Sequence, residues 1–244
     1  MQLCIDIGNS AIKTAVFSGN EIVGKNVLPD FGIREIEDLG NKYPEIQNVI
    51  LCSVRADDPA LIKILKSNFR NLLVLDSETA IPFENLYESK NTLGKDRLAA
   101  ITGANNIFPD RNVLVVDAGS AITYDIIDNC GRYLGGNISP GLFMRFRALH
   151  EFTGKLPLIS PKEDTELMAR NTEDSIAFGV VNGAVFEMQS YINKIKTKFR
   201  DPEIIFTGGD ANYFVKKLKN TIFVDPELVL KGLNRILTYN VEEK

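Results

Sequence analysis

Apolar and polar positions along this chain fall into short runs that predict strands, and the runs come in two matching sets. Leu3 to Ile7, Ile12 to Phe17 and Glu21 to Leu28 are separated by the turn-formers Gly8-Asn9-Ser10 and Ser18-Gly19-Asn20, which predicts a three-stranded meander. Ile33, Ile36 and Leu39 then keep helical spacing, Val49 to Cys52 predict a strand, Ala60 to Leu65 a helix, and Leu72 to Leu75 a further strand. The second set opens with Val113 to Asp117, Ala121 to Ile127 and, after Asn129-Cys130-Gly131, Tyr133 to Ile138, followed by a helix around Leu142 to Phe152. The stretch from Lys155 to Arg170 contains Pro157 and Pro161 and predicts a surface loop, whereas Thr172 to about Phe199 predicts the longest helix. Ile204-Ile205-Phe206, the breaker Gly208-Gly209-Asp210, Ile222-Phe223-Val224 and a helix over Leu228 to Leu237 close the chain. The order is βββαβα twice, an α/β fold of two duplicated halves.

The duplication carries chemistry. Asp6-Ile7-Gly8-Asn9-Ser10 in the first half is matched by Asp117-Ala118-Gly119-Ser120-Ala121 in the second, each directly behind a buried apolar run and ahead of another strand. Each motif therefore sits at a hairpin tip, whereas a P-loop would continue into a helix. A glycine there lets backbone approach a ligand, neighbouring amides can face phosphate oxygens, and Ser10 and Ser120 add hydroxyl donors. An Asx turn would account for one copy alone, but it gives no reason for the repeat. Asp6 and Asp117, facing each other across a cleft between the halves, are candidates to hold a cation that offsets phosphate charge. Lys13 reads either as a phosphate contact or as a solvated strand lysine.

Composition narrows the partners. The 244 residues carry 28 Lys and Arg against 32 Asp and Glu, a net charge of −4, so no global positive field favours nucleic acid or an anionic membrane. No apolar run approaches a membrane span, the N-terminal segment lacks signal-peptide character, and a cytoplasmic protein is expected. Cys4, Cys52 and Cys130 lack metal-ligand spacing and read as reduced structural thiols. His150 is the only histidine, which leaves hydrolase triads and histidine-based metal sites poorly supported.

Between the two hairpins, Leu93-Gly94-Lys95-Asp96-Arg97-Leu98 opens a helical pattern. Asp96 reads there as a helix N-cap or as a general base that accepts a hydroxyl proton, with Lys95 or Arg97 binding an anionic substrate group. Gly135-Gly136-Asn137-Ile138-Ser139-Pro140-Gly141 is expected as a tight strand-to-helix connection or a substrate-facing loop. Asn171-Thr172-Glu173-Asp174-Ser175 reads as a capped helix start with Thr172 as the cap. Gly179 and Gly183 on that long helix would permit close approach of another backbone, within the chain or across a dimer.

As an ordered set, Asp6-x-Gly-Asn-Ser, Gly94-x-Asp96-Arg97, Asp117-x-Gly-Ser-Ala-x-Thr123, Gly135-Gly-x-Ile-x-Pro140-Gly, Asn171-Thr172-x-x-Ser175-Ile and Thr207-Gly-Gly-Asp-Ala211 resemble type III pantothenate kinase. That family belongs to the acetate and sugar kinase, Hsp70 and actin superfamily. The resemblance spans almost the whole chain and implies two actin-like (ribonuclease H-like) lobes, expected at residues 1–90 and 91–244, with a cleft between them. It implies ATP-dependent phosphorylation of pantothenate, the first step of coenzyme A synthesis, by a homodimer that uses Mg2+ with ATP and a monovalent cation, K+ or NH4+. By motif matching, Asp6, Ile7, Gly8, Asn9, Ser10, Ala11, Ile12 and Lys13, with Ser120, would bind ATP, and Asp96 would accept the proton. Tyr87, Gly94, Lys95, Asp96, Arg97 and Thr172 would frame pantothenate, and Asp117 would help hold the monovalent ion. Ser10 and Ser120 keep the hydroxyl of the family's usual threonine, and Lys90 replaces a proline common after the substrate tyrosine, which predicts a less rigid Tyr87 loop. The alternatives are a kinase for another small hydroxylated acid and a nucleotide-binding regulator like the Bvg accessory factors of the same family.

Overall fold

The computed structural model describes residues 1–56 and 58–242. In chain order the elements are β1 (Gln2–Ile7), β2 (Ile12–Ser18), β3 (Glu21–Leu28), α1 (Ile33–Lys42), β4 (Asn48–Ser53), α2 (Pro59–Asn68), β5 (Asn71–Val74), β6 (Glu84–Asn85) and α3 (Lys95–Ile107). They continue with β7 (Val113–Ala118), β8 (Ala121–Ile127), β9 (Arg132–Pro140), α4 (Leu142–Glu151), α5 (Thr172–Lys198), β10 (Glu203–Thr207), α6 (Ala211–Val215), β11 (Phe223–Val224) and α7 (Leu228–Glu242).

Two compact units result. One contains Met1–Pro109, Gly131–Tyr133 and Glu227–Lys244, and the other contains Asp110–Cys130 and Leu134–Pro226. In the first, five strands pair in the order β3-β2-β1-β4-β5, with β2 antiparallel and β4 parallel to β1. In the second, the order β9-β8-β7-β10-β11 repeats that topology strand for strand, with β8 antiparallel and β10 parallel to β7. The duplicated actin-like fold expected from the motifs is thus present in the sheets themselves. Helices α3 and α7 belong to the first unit, although both follow residue 90.

The pleat of β1 decides where the chemistry lies. Its odd positions Leu3, Ile5 and Ile7 pack with Ile36 and Leu39 of α1 and Leu61 and Leu65 of α2 in one core. The even positions Cys4 and Asp6 therefore face the other side of the sheet, where α7 contacts β1 and α3 contacts β4. The α3 helix shows no amphipathic stripe, because Arg97 through Ala104 are all buried. It crosses α7 at a glycine on each helix, Gly103 and Gly232.

Three local expectations change. The glycine-rich segment after Tyr133 is strand through Pro140, so only Gly141 remains as the connection to α4. The α5 N-cap is Asn171, whose side chain accepts from the Asp174 N–H at 2.9 Å, and Thr172 is the first helical residue. Asp96 is not a cap either; Gly94 holds that position and Asp96 sits in the first turn of α3. The two-residue strand β6 and a 3-10 turn over Lys90–Thr92 have no signal in the hydrophobic pattern.

Candidate active site

In the first unit, β1 and β2 close a hairpin whose Gly8 N–H donates to Ala11 O at 3.1 Å. Register places Asp6 opposite Lys13 on β2 and opposite Cys52 on β4. Asp6 is 8% exposed, and its Oδ1 has no hydrogen-bond partner. Burial pushes its carboxyl up to about 6 from an ordinary 3.8; the Lys13 charge opposes that rise, Asp96 adds to it, and a hydrogen bond from the Cys52 thiol opposes it. Asp6, Lys13, Cys52 and Asp96 therefore form one electrostatic cluster, with Lys95 also acting on the Cys52 thiol. A buried carboxylate oxygen without a donor is the kind of atom that a divalent cation accompanying a polyphosphate would satisfy.

The sign of that titration gives a stability prediction. Between pH 3.8 and about 6 the folded chain holds a proton that the unfolded chain has released, so stability falls as pH rises through this window. Above it the cost of the buried charge is fully present. Ligand-free Asp6→Asn is therefore expected to melt several degrees above the parent protein at about pH 8, with the difference gone near about pH 4. Calorimetry at the two pH values checks this, and an equal difference at both would contradict it.

The Gly94-x-Asp96 spacing has a steric cause. A Cβ on Gly94 would stand 2.5 Å from Asp96 Oδ1, so glycine leaves room for the carboxylate to fold back over the helix start. That same Oδ1 accepts from the Arg97 N–H at 2.8 Å. The Arg97 side chain runs the other way into the protein, 5% exposed, and donates from Nη2 to the Tyr133 hydroxyl at 3.0 Å. Its guanidinium lies 5.5 Å from the Tyr87 ring centroid, and Tyr87 stacks on Tyr133 at 6.0 Å with 17° between planes. Phe83 meets the Tyr133 ring edge-on.

This cage fixes the Tyr87 loop without a proline. Strand β6 pairs in parallel with Arg132 and Tyr133, and the Tyr87 N–H donates to Asn85 Oδ1 at 3.0 Å. At Lys90 the chain enters its 3-10 turn, where Thr92 Oγ1 donates to Ser89. The looser loop expected from Lys90 is thus held by hydrogen bonds.

The second unit builds its hairpin differently. The Gly119 N–H donates to Ala121 O, and other glycines press on the turn. A Cβ on Gly141 would stand 2.3 Å from Ser120 O and 2.4 Å from Gly119 O. Gly208, at φ 92°, would place one 2.4 Å from both Ala118 O and Asp117 Oδ1. The Asp210 N–H donates to Ala118 O at 2.9 Å. Three of the sequence motifs therefore converge here, around Asp117-Ser120, Gly141 and Thr207-Asp210, and backbone contact requires glycine at 141 and 208. Among the described residues no three His, Cys, Asp or Glu side chains come together as a metal cage. Thr172, at the start of α5, also belongs to this unit.

The structure thus brings Asp6, Gly8, Asn9, Ser10 and Lys13 into one unit with Tyr87, Gly94, Lys95, Asp96 and Arg97, and places Asp117, Ser120 and Thr172 in the other. Sequence reasoning missed Tyr133 and Cys52. Tyr133 and Cys52 lie in runs that read as plain strand, and only pairing with β6 and β1 gives them a role. A half-buried polar group in the second unit was missed as well: partial burial raises the Glu187 carboxyl on α5, but it accepts from Arg145 at 2.7 Å and from Tyr124 at 2.8 Å, and these hold it below the ordinary range.

Comparison with known proteins places these features. The family model for type III pantothenate kinase matches residues 2–194. A type III pantothenate kinase of Christiangramia forsetii is 46% identical over 242 residues, covering 98% of this chain and 99% of that one. One from Bacteroides fragilis is 43% identical over 240 residues, with 98% of each covered. Among solved structures, a protein from Campylobacter jejuni assigned to the Baf transcriptional activators superposes with a TM-score of 0.64 at 24% identity, covering 98% of this chain and 99% of that chain. The activator of 2-hydroxyisocaproyl-CoA dehydratase from Clostridium difficile superposes with a TM-score of 0.58 at 16% identity, covering 99% and 94%. At these identities the two structures are alike in fold.

Proposed function

This chain belongs to the type III pantothenate kinase family, and from that premise we propose how its residues divide the work. The enzyme transfers phosphate from ATP to the alcohol group of pantothenate, giving phosphopantothenate in the first step of coenzyme A biosynthesis. The Asp6 to Lys13 hairpin cradles the ATP phosphates with its amides, Ser10 and the Lys13 ammonium, and Ser120 contacts ATP from the second hairpin. Asp96 takes the proton of the attacking hydroxyl, while Arg97 and Tyr87, braced by Tyr133, with Gly94, Lys95 and Thr172 frame pantothenate. Asp6 is suited to hold Mg2+ with ATP, where the ion offsets phosphate charge. Asp117, beside the Ala118 carbonyl, supplies oxygens of the kind that K+ or NH4+ takes. The observation that supports this division is the cluster of Asp6, Lys13 and Asp96, which sets a buried carboxylate, an ammonium and a second carboxylate on one side of one sheet.

A homodimer completes the reading. On α5, Gly179 and Gly183 have open space where a Cβ would stand, and Phe186, one further turn along the same face, is 58% exposed. That stripe suits a second copy of the chain. No helix among the described residues is long and apolar enough to cross a membrane. Direct nucleic-acid binding has no support from a net charge of −4.

The test is an ADP-release assay with purified protein, ATP, Mg2+ and pantothenate, with and without K+, alongside sedimentation analysis. Turnover that requires pantothenate, rises with K+ and comes from a dimer is expected. Absence of pantothenate-dependent turnover under every condition would sink the assignment, and a monomer at micromolar concentration would remove the dimer.

A further inference from the structure

Arg55 lies just beyond β4, solvent-exposed and outside every core cluster. Its backbone is pinned: its N–H donates to Ser53 Oγ at 3.1 Å, Ser53 Oγ donates to Arg55 O at 3.2 Å, and the neighbouring Val54 N–H donates to Ile7 O at 3.1 Å. From that base the guanidinium reaches the tip of the first hairpin. Nε donates to Gly8 O at 2.8 Å and Nη2 to Asn9 O at 3.1 Å, a fork across two successive carbonyls.

Peptide planarity turns this clasp into a statement about donors. In a trans peptide the carbonyl and the following N–H point in opposite directions. Holding Gly8 O therefore aims the Asn9 N–H away from Arg55, and holding Asn9 O does the same for the Ser10 N–H. Two successive amides directed away from one guanidinium make an anion-binding concavity. The positive charge at the carbonyl ends also polarises both peptides, which strengthens those N–H groups as donors. Left alone, a glycine-containing turn samples several orientations of these peptides. A lysine could not replace the clasp, because one ammonium lacks the planar fork.

We propose that Arg55 is a positioning residue for the ATP polyphosphate, fixing the Asn9 and Ser10 amides as phosphate donors by holding the Gly8 and Asn9 carbonyls. The inference rests on the reading of the Asp6 to Lys13 hairpin as the phosphate cradle. Arg55→Ala is expected to raise KM for ATP about tenfold or more, and the calorimetric dissociation constant of MgADP by a similar factor. KM for pantothenate should stay within about twofold, with melting unchanged, and Arg55→Lys should recover only part of the loss. An unchanged KM for ATP in Arg55→Ala would overturn the proposal, as would a joint rise in both KM values with a lower melting temperature, which marks a merely structural role. Gly8→Val separates the premise from the inference. If that variant folds and still binds MgADP like the parent, the cradle reading falls and takes the proposal with it; if it loses MgADP while Arg55→Ala does not, the Arg55 role alone is wrong.

Discussion

Replacing Asp96 with asparagine is expected to lower kcat by about 10²- to 10⁴-fold, the usual contribution of a positioned general base, while both KM values stay within about threefold. The substitution isolates basicity. Asparagine keeps an oxygen where Asp96 Oδ1 accepts the Arg97 N–H at 2.8 Å, so the start of α3 and the course of Arg97 should persist. It also fits the space that Gly94 leaves open. What it lacks is a lone pair able to take a proton as the pantothenate hydroxyl attacks. Asp96 is part-exposed and close enough to Asp6 for its charge to add to the rise that burial causes in the Asp6 pKa, which sets it beside the Asp6 to Lys13 hairpin. Steady-state kinetics with saturating ATP, together with a melting curve, make the check. Turnover within about tenfold of the parent, with both substrates bound, would remove Asp96 from the proton-accepting role and leave the family assignment intact.

Gly232→Ala is the second large effect, and it acts through the scaffold. Helix propensity alone favours alanine within α7 by about 1 kcal/mol. The crossing with α3 reverses that preference. A Cβ at Gly232 would stand 1.8 Å from Ala99 O, 2.7 Å from Ala99 C and 2.9 Å from Gly103 N, all backbone atoms that no rotamer change can move. From the other helix, a Cβ at Gly103 would meet Leu228 O at 2.4 Å. The two helices must separate, and a net loss of about 3 kcal/mol or more is expected, roughly 6–12 °C in melting temperature. Because α3 carries Lys95, Asp96 and Arg97, kcat/KM should fall in the same variant. Gly40→Ala on α1, where open space awaits the methyl, serves as the control and should be neutral or stabilising. Equal melting of Gly232→Ala and the parent would show that the crossing tolerates a side chain.

Much of this was legible from local pattern. Strand β3 spans Glu21–Leu28 and β8 spans Ala121–Ile127, as their alternation and flanking turns predict, and α5 begins and ends within a residue of its expected limits. Misreadings arose where a residue's local preference competes with its neighbours'. Thr172 has cap chemistry, but Asn171 precedes it and takes the position with a side chain that reaches the Asp174 amide. Ser139 and Pro140 are expected in the connection that follows a strand ending at Ile138, yet β9 continues through them to Gly141. The two-residue β6 leaves no periodicity to detect; it exists because Glu84 N–H and Leu86 N–H find the carbonyls of Gly131 and Tyr133.

The sequence by itself determined the duplicated topology and the hairpin tips, because hydrophobic alternation and turn chemistry act over a few residues. It also determined that Asp6 lies on the opposite face of β1 from Leu3, Ile5 and Ile7, since pleat parity is a local property. What covers that face depends on strand register and on which helix crosses it, and both come from distant parts of the chain. Only the tertiary structure therefore placed Asp96 beside Asp6, set the Tyr133 hydroxyl against Arg97, and required glycine where α3 meets α7. The same holds for the Arg55 clasp on the hairpin, because a surface arginine carries no mark in the sequence of the carbonyls it will hold.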